Sequence, residues 1–586
     1  MKTMKMKPIP TLLCALYLTA PAAWAQQPLQ KNPELTYQSV TDARLQKPEP
    51  ENWLQYRANY AGWGYSPLDK INADNVGQLT LAWAFASGQV EGHQSPPLVN
   101  GRYMYITAPG NQVVALDAKT GNELWRYKRQ LPAEMSQLHP TNRGVSMYGD
   151  KLYLATIDCM LVALDAKTGK VLWTKKVEEW KNGYYMTLAP LIVKGKVMVG
   201  ASGGEFGIRG FVAAYDAETG NEDWRTFTVP APGEPGGDTW PADNDAWKRG
   251  GGSVWITGTY DPDTNTAYWG TGNPSPWTPD GRKGDNLYTS STIALNVDDG
   301  KIKGHHQYTH NDSWDWDEVS APLLFDTDFK GKKIKAAVHA GRNGYLWVLD
   351  RSNGGKLDFV EGWPYVGNNV FTSLDPKTGR PTYDESRKPK IGQKVNFCPS
   401  LWGGKDWPPE AYNPKTNMVY IPANNNLCSE LPPAENPKYK AGELYIGIPL
   451  EGVMTNVRVP KPDQTIGELQ AWDMTTGKQA WVHKFKSFLW TPLMTTAGNL
   501  VFAGGTTDRM FRAFDARDGK MLWETPAPSG VHGVPSSFMI DGEQFIAVQS
   551  GWGVDGERLL GAINAVFDTT TMVPQGGALM VYKLKK

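Results

Sequence analysis

No Cys-x-x-Cys-His segment occurs in the 586 residues, so the chain attaches no c-type haem and whatever it does with electrons it does without one. Cysteine is scarce altogether: four residues, of which Cys14 falls in an N-terminal leader. An oxidising compartment permits one bridge, and the expected pair is Cys398 with Cys428, leaving Cys159 as a buried free thiol. Excess charge of either sign is missing too. Sixty Lys and Arg balance sixty Asp and Glu, which removes global steering toward nucleic acid or a membrane surface. A long apolar run is also absent, because Leu12 to Ala20 is far too short to span a bilayer. With Lys2, Lys5 and Lys7 before it and Ala23-Trp24-Ala25 after it, that run fits a cleaved export signal over residues 1–25. Cys14 would suit a lipid anchor, but Thr11-Leu12-Leu13 lacks the small residues such anchors carry. The expectation is an exported chain from about Gln26, with no membrane span and no nucleic-acid partner.

What the chain does have is rings and turn formers. It holds 24 Trp, 61 Gly and 43 Pro, a mixture that suits many short strands better than helices. Read against itself, the sequence repeats. Ala115 to Trp125 (ALDAKTGNELW) returns at Ala163 to Trp173, Ala214 to Trp224, Ala471 to Trp481 and Ala513 to Trp523. Weaker copies lie at Ala294 to Gly300 and Val348 to Gly354. Each copy is an alternating strand, an Asp-x-x-Thr-Gly turn whose glycine can take positive φ, and a second strand ending in Trp. Such a hairpin cannot bury both faces alone, and a Trp at a fixed offset would wedge between neighbouring units. Spacings near about fifty residues suit four-stranded blades closed into a propeller, with a flat solenoid as the alternative. The C-terminal strand Ala578 to Tyr582 has no partner turn after it and is expected to complete a blade begun near Trp53. Seven copies and that composite unit predict an all-β, eight-bladed propeller over residues 26–586, one domain. Phe227 to Trp247 and Gly354 to Asn396 are expected as ordered insertions over one face.

One stretch concentrates acid between rings: His310-Asn311-Asp312-Ser313-Trp314-Asp315-Trp316-Asp317-Glu318. In extended chain, positions two apart point the same way, so Asp315 and Asp317 converge. Two carboxylates held together repel unless a proton or cation lies between them. The plain alternative is a solvated acidic loop, since Asn, Asp and Ser form turns readily. Elsewhere, Gly200-Ala201-Ser202-Gly203-Gly204-Glu205 combines close-approach glycines with a hard oxygen ligand, or is only a tight turn. Gly251-Gly252-Ser253-Val254-Trp255 and Gly270-Thr271-Gly272-Asn273-Pro274 come next, and Gly341-Arg342-Asn343-Gly344 supplies a cation.

Together with the Trp-bearing repeat, these motifs resemble the pyrroloquinoline-quinone (PQQ)-dependent alcohol dehydrogenases, the methanol and ethanol dehydrogenases of the periplasm. The resemblance covers essentially the whole chain after the leader. It implies that Glu205, Asn273, Asp315 and Asp317 hold a metal ion. Asp315 would be the catalytic base and Arg342 the cation beside the reactive carbonyl. Gln94, Arg143, Thr187, Ser202, Gly203, Gly204, Ser253, Trp255, Asn425 and Trp490 would contact the quinone. Family members that use calcium usually have a small or neutral residue where this chain has Asp317, whereas lanthanide-dependent members have Asp. A trivalent hard cation wants more anionic oxygen than calcium does, so a lanthanide is the expected metal and Ca2+ the alternative. The implied reaction oxidises a primary alcohol to an aldehyde by hydride transfer to the quinone, with electrons passed to a periplasmic cytochrome c. The chain would act alone or as a homodimer. A polyol or sugar substrate is one alternative, and a non-enzymatic propeller scaffold is another. Three positions depart from the family. Its adjacent cysteine pair over the quinone falls here at Gln137-Leu138, leaving Leu138 or His139 to cover the ring. Gln94 replaces a usual Glu, and Thr491-Pro492 replaces glycines after Trp490.

Overall fold

A computed structural model describes residues 35–135, 138–449 and 456–585. The expected signal peptide and Gln137 lie outside these residues. Among the described residues, eight antiparallel sheets of four strands form the blades, one of them extended by a fifth, parallel strand, Tyr65–Ser66. Each repeat found in the sequence is the hairpin of one blade: Gln112–Asp117 pairs with Glu123–Lys128, and Met510–Asp515 with Met521–Pro526. The first strand of such a hairpin is buried on both faces, whereas the second alternates between exposed and half-buried, as an outer strand should.

The repeated Trp has a definite seat. The Trp125 indole N–H donates to the Ala166 carbonyl in the next repeat's turn at 3.1 Å, and Trp224 reaches Val297 at 2.9 Å. A methyl group on Gly169 would come within 2.4 Å of the Trp125 ring, and one on Gly300 within 2.4 Å of Trp224. The turn glycine therefore serves twice: it takes positive φ (70° at Gly169), and its bare Cα leaves room for the preceding blade's indole.

Ring closure uses both ends of the chain. Ala578–Leu584 lies between Glu543–Ser550 and Leu79–Ala86, so one blade combines an N-terminal strand with three C-terminal ones. The expected partner near Trp53 is corrected: Trp53 instead bridges to Val99 in the neighbouring sheet, and Trp83 of Leu79–Ala86 packs over Gly121. The second expected insertion is also narrower. Asp358–Pro364 within it is a blade strand, and only the residues beyond this strand leave the ring, as the hairpin Phe371–Leu374 with Pro381–Tyr383. A further insertion carries the Cys398–Cys428 disulfide, beside a small sheet of Val395–Phe397, Cys428–Leu431 and Val457–Arg458. Cys159 is a free, buried thiol. Periodicity gave no sign of the longest helix, Gly553–Phe567, which sits between the last two strands and buries Leu559, Leu560, Ala562 and Ile563.

Candidate active site

The acidic stretch folds as a loop pinned from within. Asp312 accepts the backbone N–H of Trp314 through Oδ1 and of Trp316 through Oδ2, each at 3.2 Å. The two indoles stack with centroids 5.1 Å apart and donate outward, Trp314 to the Arg387 carbonyl and Trp316 to that of Ser400. With the rings committed to the core, the intervening acids face the other way, and Asp315 takes φ +62° to do so. Asp317 Oδ1 accepts the Asn273 N–H at 2.7 Å. Gly272 has to be glycine, because a Cβ there would stand 2.4 Å from that same oxygen.

Glu205 arrives from a distant segment on the short 3-10 turn Gly204–Phe206, entered through Gly203 at φ 115°. Ligand oxygens of Glu205, Asp315 and Asp317 all lie within 4.8 Å of one another. The Asn273 side-chain oxygen and Asp315 Oδ1 are buried without a hydrogen-bond partner. Buried oxygens are rarely left so, and acids this close raise one another's cost of ionisation. Burial above all, with Asp317 and Glu205 adding to it, pushes the Asp315 carboxyl well above the ordinary range. Burial likewise lifts Asp317 to about 8. Converging hard oxygens, two of them with no donor, are the donor set of an oxygen-loving cation, so these residues fit the implied metal.

Arg342 is the counter-charge. Its Nη2 stands 3.2 Å from Asp315, its Nη1 3.4 Å from Asp317 and 3.5 Å from Asp406, and its Nε donates to the Leu401 carbonyl. Burial opposes the charge, but these carboxylates outweigh it and hold the guanidinium above its usual pKa. Glu318, at the end of the acidic stretch, fixes the turn that carries Arg342. It accepts the Arg342 and Asn343 backbone N–H groups and lies 2.7 Å from His339 Nε2. Burial raises Glu318 to about 8 and lowers His339 to about 3, so near neutrality their shared proton rests on the carboxyl.

These acids form one side of a cavity of about 710 Å3 including its open mouth. Opposite them, Arg143 donates to Thr187 Oγ1 at 2.6 Å, and Thr187 lies 3.3 Å from the Ser202 hydroxyl. The Arg143 guanidinium is held between the Trp255 and Trp407 rings, 4.8 Å from each. A flat, anionic ligand would meet a cation and two hydroxyls at one end, and indole faces along its plane. Ser253 stands behind Gly204 and Gly272, close to Asn273.

Among the expected contacts, Arg143, Thr187, Ser202, Gly203, Trp255 and Arg342 line this cavity, while Gly204 and Ser253 back it. Three others lie off that lining. Asn425 faces a separate hollow, where its oxygen accepts the Gly367 and Asn426 N–H groups and so fastens a turn. Gln94 is buried beside Gly92, off the cavity wall. Trp490 stands behind the wall, edge-on to Trp402 at 5.5 Å. Residues not anticipated are Tyr185, Trp402, Asp406, Trp407, Asp555 and Arg558. Asp406-Trp407 repeats on a small scale the acid-beside-indole pattern of the main stretch. Nothing comparable marks Asp555 and Arg558.

Known proteins share this arrangement of the chain. The family described as the glucose/ethanol/alcohol dehydrogenase β-propeller domain, PQQ, matches residues 53–370 and 373–546. The quinoprotein alcohol dehydrogenase PedH of Pseudomonas putida is 39% identical over 575 residues, covering 92% of this chain and 93% of its own. The lanthanide-dependent methanol dehydrogenase of Methylacidiphilum fumariolicum is 38% identical over 540 residues, covering 87% and 86%. A europium-containing methanol dehydrogenase superposes with TM-score 0.84 at 35% identity, covering 93% of this chain and all of that one. With likeness of this extent laid over a cavity that joins three carboxylates, a buried guanidinium and an indole-walled slot, the chain belongs to the PQQ-dependent alcohol dehydrogenase family.

Proposed function

We propose that the protein is a periplasmic alcohol dehydrogenase that oxidises primary alcohols to aldehydes with PQQ and a lanthanide ion. The observation that carries this reading is the meeting of Glu205, Asp315 and Asp317 within 4.8 Å beside the unpartnered Asn273 oxygen. Those four would hold the ion, and Arg143, Thr187, Ser202 and Trp255 would hold the quinone. When bound, the quinone supplies the two-electron acceptor and the cation the Lewis acidity that makes its carbonyl electrophilic.

The chain's own part is orientation and proton handling. An ion held beside it would keep Asp315 ionised, and as general base it would accept the alcohol's hydroxyl proton. Arg342, 3.2 Å from Asp315 Oδ2, keeps that carboxylate turned into the cavity and presents fixed positive charge where negative charge develops. Trp277 and Trp402 line the same space and exclude water around the carbinol carbon. Asp317 adds anionic charge, and its Asn273 N–H bond sets its angle. Three acids and one amide suit a trivalent ion better than a divalent one, which supports a lanthanide over calcium. Two relatives, one lanthanide-dependent and one containing europium by name, point the same way. The basic, apolar and small-residue order of the leader supports export to the periplasm. Among the described residues no helix is long and apolar enough to cross a membrane. Lacking a haem motif, the enzyme would give its electrons to a separate cytochrome c.

Reconstitution tests the assignment. Metal-free protein supplied with PQQ should regain dye-linked alcohol oxidation with lanthanum or cerium, and far less with calcium. Asp317→Ala should abolish the lanthanide response. Equal recovery with calcium would overturn the metal, and no quinone uptake under any condition would overturn the enzyme.

A further inference from the structure

Two chain segments that the sequence holds 416 residues apart meet across a part of the cavity lining that keeps some exposure. His139 Nε2 lies 3.0 Å from Asp555 Oδ1, and its Nδ1 lies 3.4 Å from the Tyr185 hydroxyl. Both partners line the cavity that contains the acids and Arg143. Asp555 projects from the first turn of the Gly553–Phe567 helix, and Arg558 on the same face stands 3.6 Å from it. The helix cannot shift freely. Its opposite face is packed in the core, and Glu91 accepts both the Val554 and Gly92 N–H groups through one oxygen. The helix is therefore the fixed side of the contact, and the segment carrying His139 is the side it holds. Burial works against both charges, yet the contact wins: His139 is held above its usual pKa and Asp555 is held down to about 2. The two side chains keep 29% and 12% of their exposure.

We propose that His139 and Asp555 form an ionic clasp that closes the mouth and keeps the quinone seated. This rests on the function proposed above. They are positioning residues, since the clasp acts by holding a loop against a fixed helix. The physical case is leverage. A ligand lying flat between Trp255 and the opposite wall can leave only through the mouth, and the contact that spans the mouth then sets the escape rate more than the entry rate. A partly exposed ion pair is also sensitive to salt, which a covalent closure would not be.

Quinone release from the loaded enzyme, followed by recovery of tryptophan fluorescence after dilution, measures the clasp. His139→Gln and Asp555→Asn should each speed release about tenfold. The double variant should be no faster than either single one, because both remove one interaction. The exchanged pair, His139→Asp with Asp555→His, should recover part of the retention. High salt should speed release from the parent enzyme and leave the neutral variants unchanged. A second arm needs no quinone: in cofactor-free protein, amide hydrogen exchange over residues 138–143 should quicken in both single variants. Unchanged exchange, or release rates that are additive and equally salt-dependent in all variants, would overturn the clasp. A parent chain that takes up no quinone would instead overturn the dehydrogenase reading, and the exchange arm would still decide whether the pair closes the mouth.

Discussion

The same side chain, aspartate, serves in two regions under opposite conditions. At the outer turns of the blades Asp216 accepts the Thr219 N–H at 2.7 Å, the Thr219 hydroxyl at 2.8 Å and the Glu218 N–H at 3.1 Å. Those donors favour the charged form, and the carboxyl sits below its ordinary pKa. In the 312–318 stretch the acids are buried, and Asp315 and Asp317 converge with Glu205 on one point. Asp312 is lifted to about 6 and Asp317 to about 8, burial being the larger cause in both. The turns use aspartate to build the ring at little cost. The inner loop keeps its acids where they destabilise the metal-free chain, and only a counter-ion makes that placement favourable. Strain of this kind, held by a scaffold that is otherwise satisfied, marks a functional region.

The contrast can be broken most forcefully at Asp315. Asp315→Asn should lower turnover by at least about a thousandfold, in line with loss of a general base. Quinone uptake, read by absorbance, should persist, and turnover within tenfold of the parent would assign the proton to another group. A pH series on metal-free protein sharpens the comparison next. Carboxyls whose folded pKa exceeds the unfolded value of about 4 bind more protons when folded, so stability falls as pH rises past that value. With Asp312, Asp317 and Glu318 raised to about 6, 8 and 8, the melting temperature should decline between about pH 4 and 8. Saturating lanthanide should remove the share of that decline due to Asp317 and leave that of Asp312 and Glu318, and a metal-free curve that rises over this range would contradict the picture of acids raised by burial. The smallest effect belongs to the outer turns. Asp216→Ala should cost about 1 kcal/mol, the usual net value of turn hydrogen bonds, with no change in metal affinity. Calorimetry and a metal titration on that one variant check both halves.

The ring was legible because its rule is local. A turn glycine in every copy, with an indole eleven positions in at five of the seven, announces a hairpin, and seven copies with one composite led to the observed number of blades. The rule marks the hairpin, however, rather than the blade. Asp375-Pro376-Lys377-Thr378-Gly379 has the same turn, with Thr378 bonded to Asp375, yet it belongs to the insertion hairpin. The site was legible where chemistry is dense, at Glu205, Asn273, Asp315 to Asp317 and Arg342. It was opaque where one polar residue sits in an ordinary setting. Asn425, expected as a ligand contact, has its oxygen on the Gly367 and Asn426 N–H groups, an arrangement its sequence setting did not announce. Asp555 and Arg558 could not be found by strand periodicity, since they ride on a long helix inserted between two strands.

The composite blade has a consequence for how the molecule comes into being. Ala578–Leu584 is an inner member of its sheet, flanked on both sides, and among the described strands Leu79–Ala86 pairs with no other. An emerging polypeptide therefore carries an unmatched edge from the appearance of Leu79–Ala86 until Ala578–Leu584 follows some five hundred residues later. The circle shuts all at once with that strand, and a chain cut before Ala578 loses the keystone of the ring.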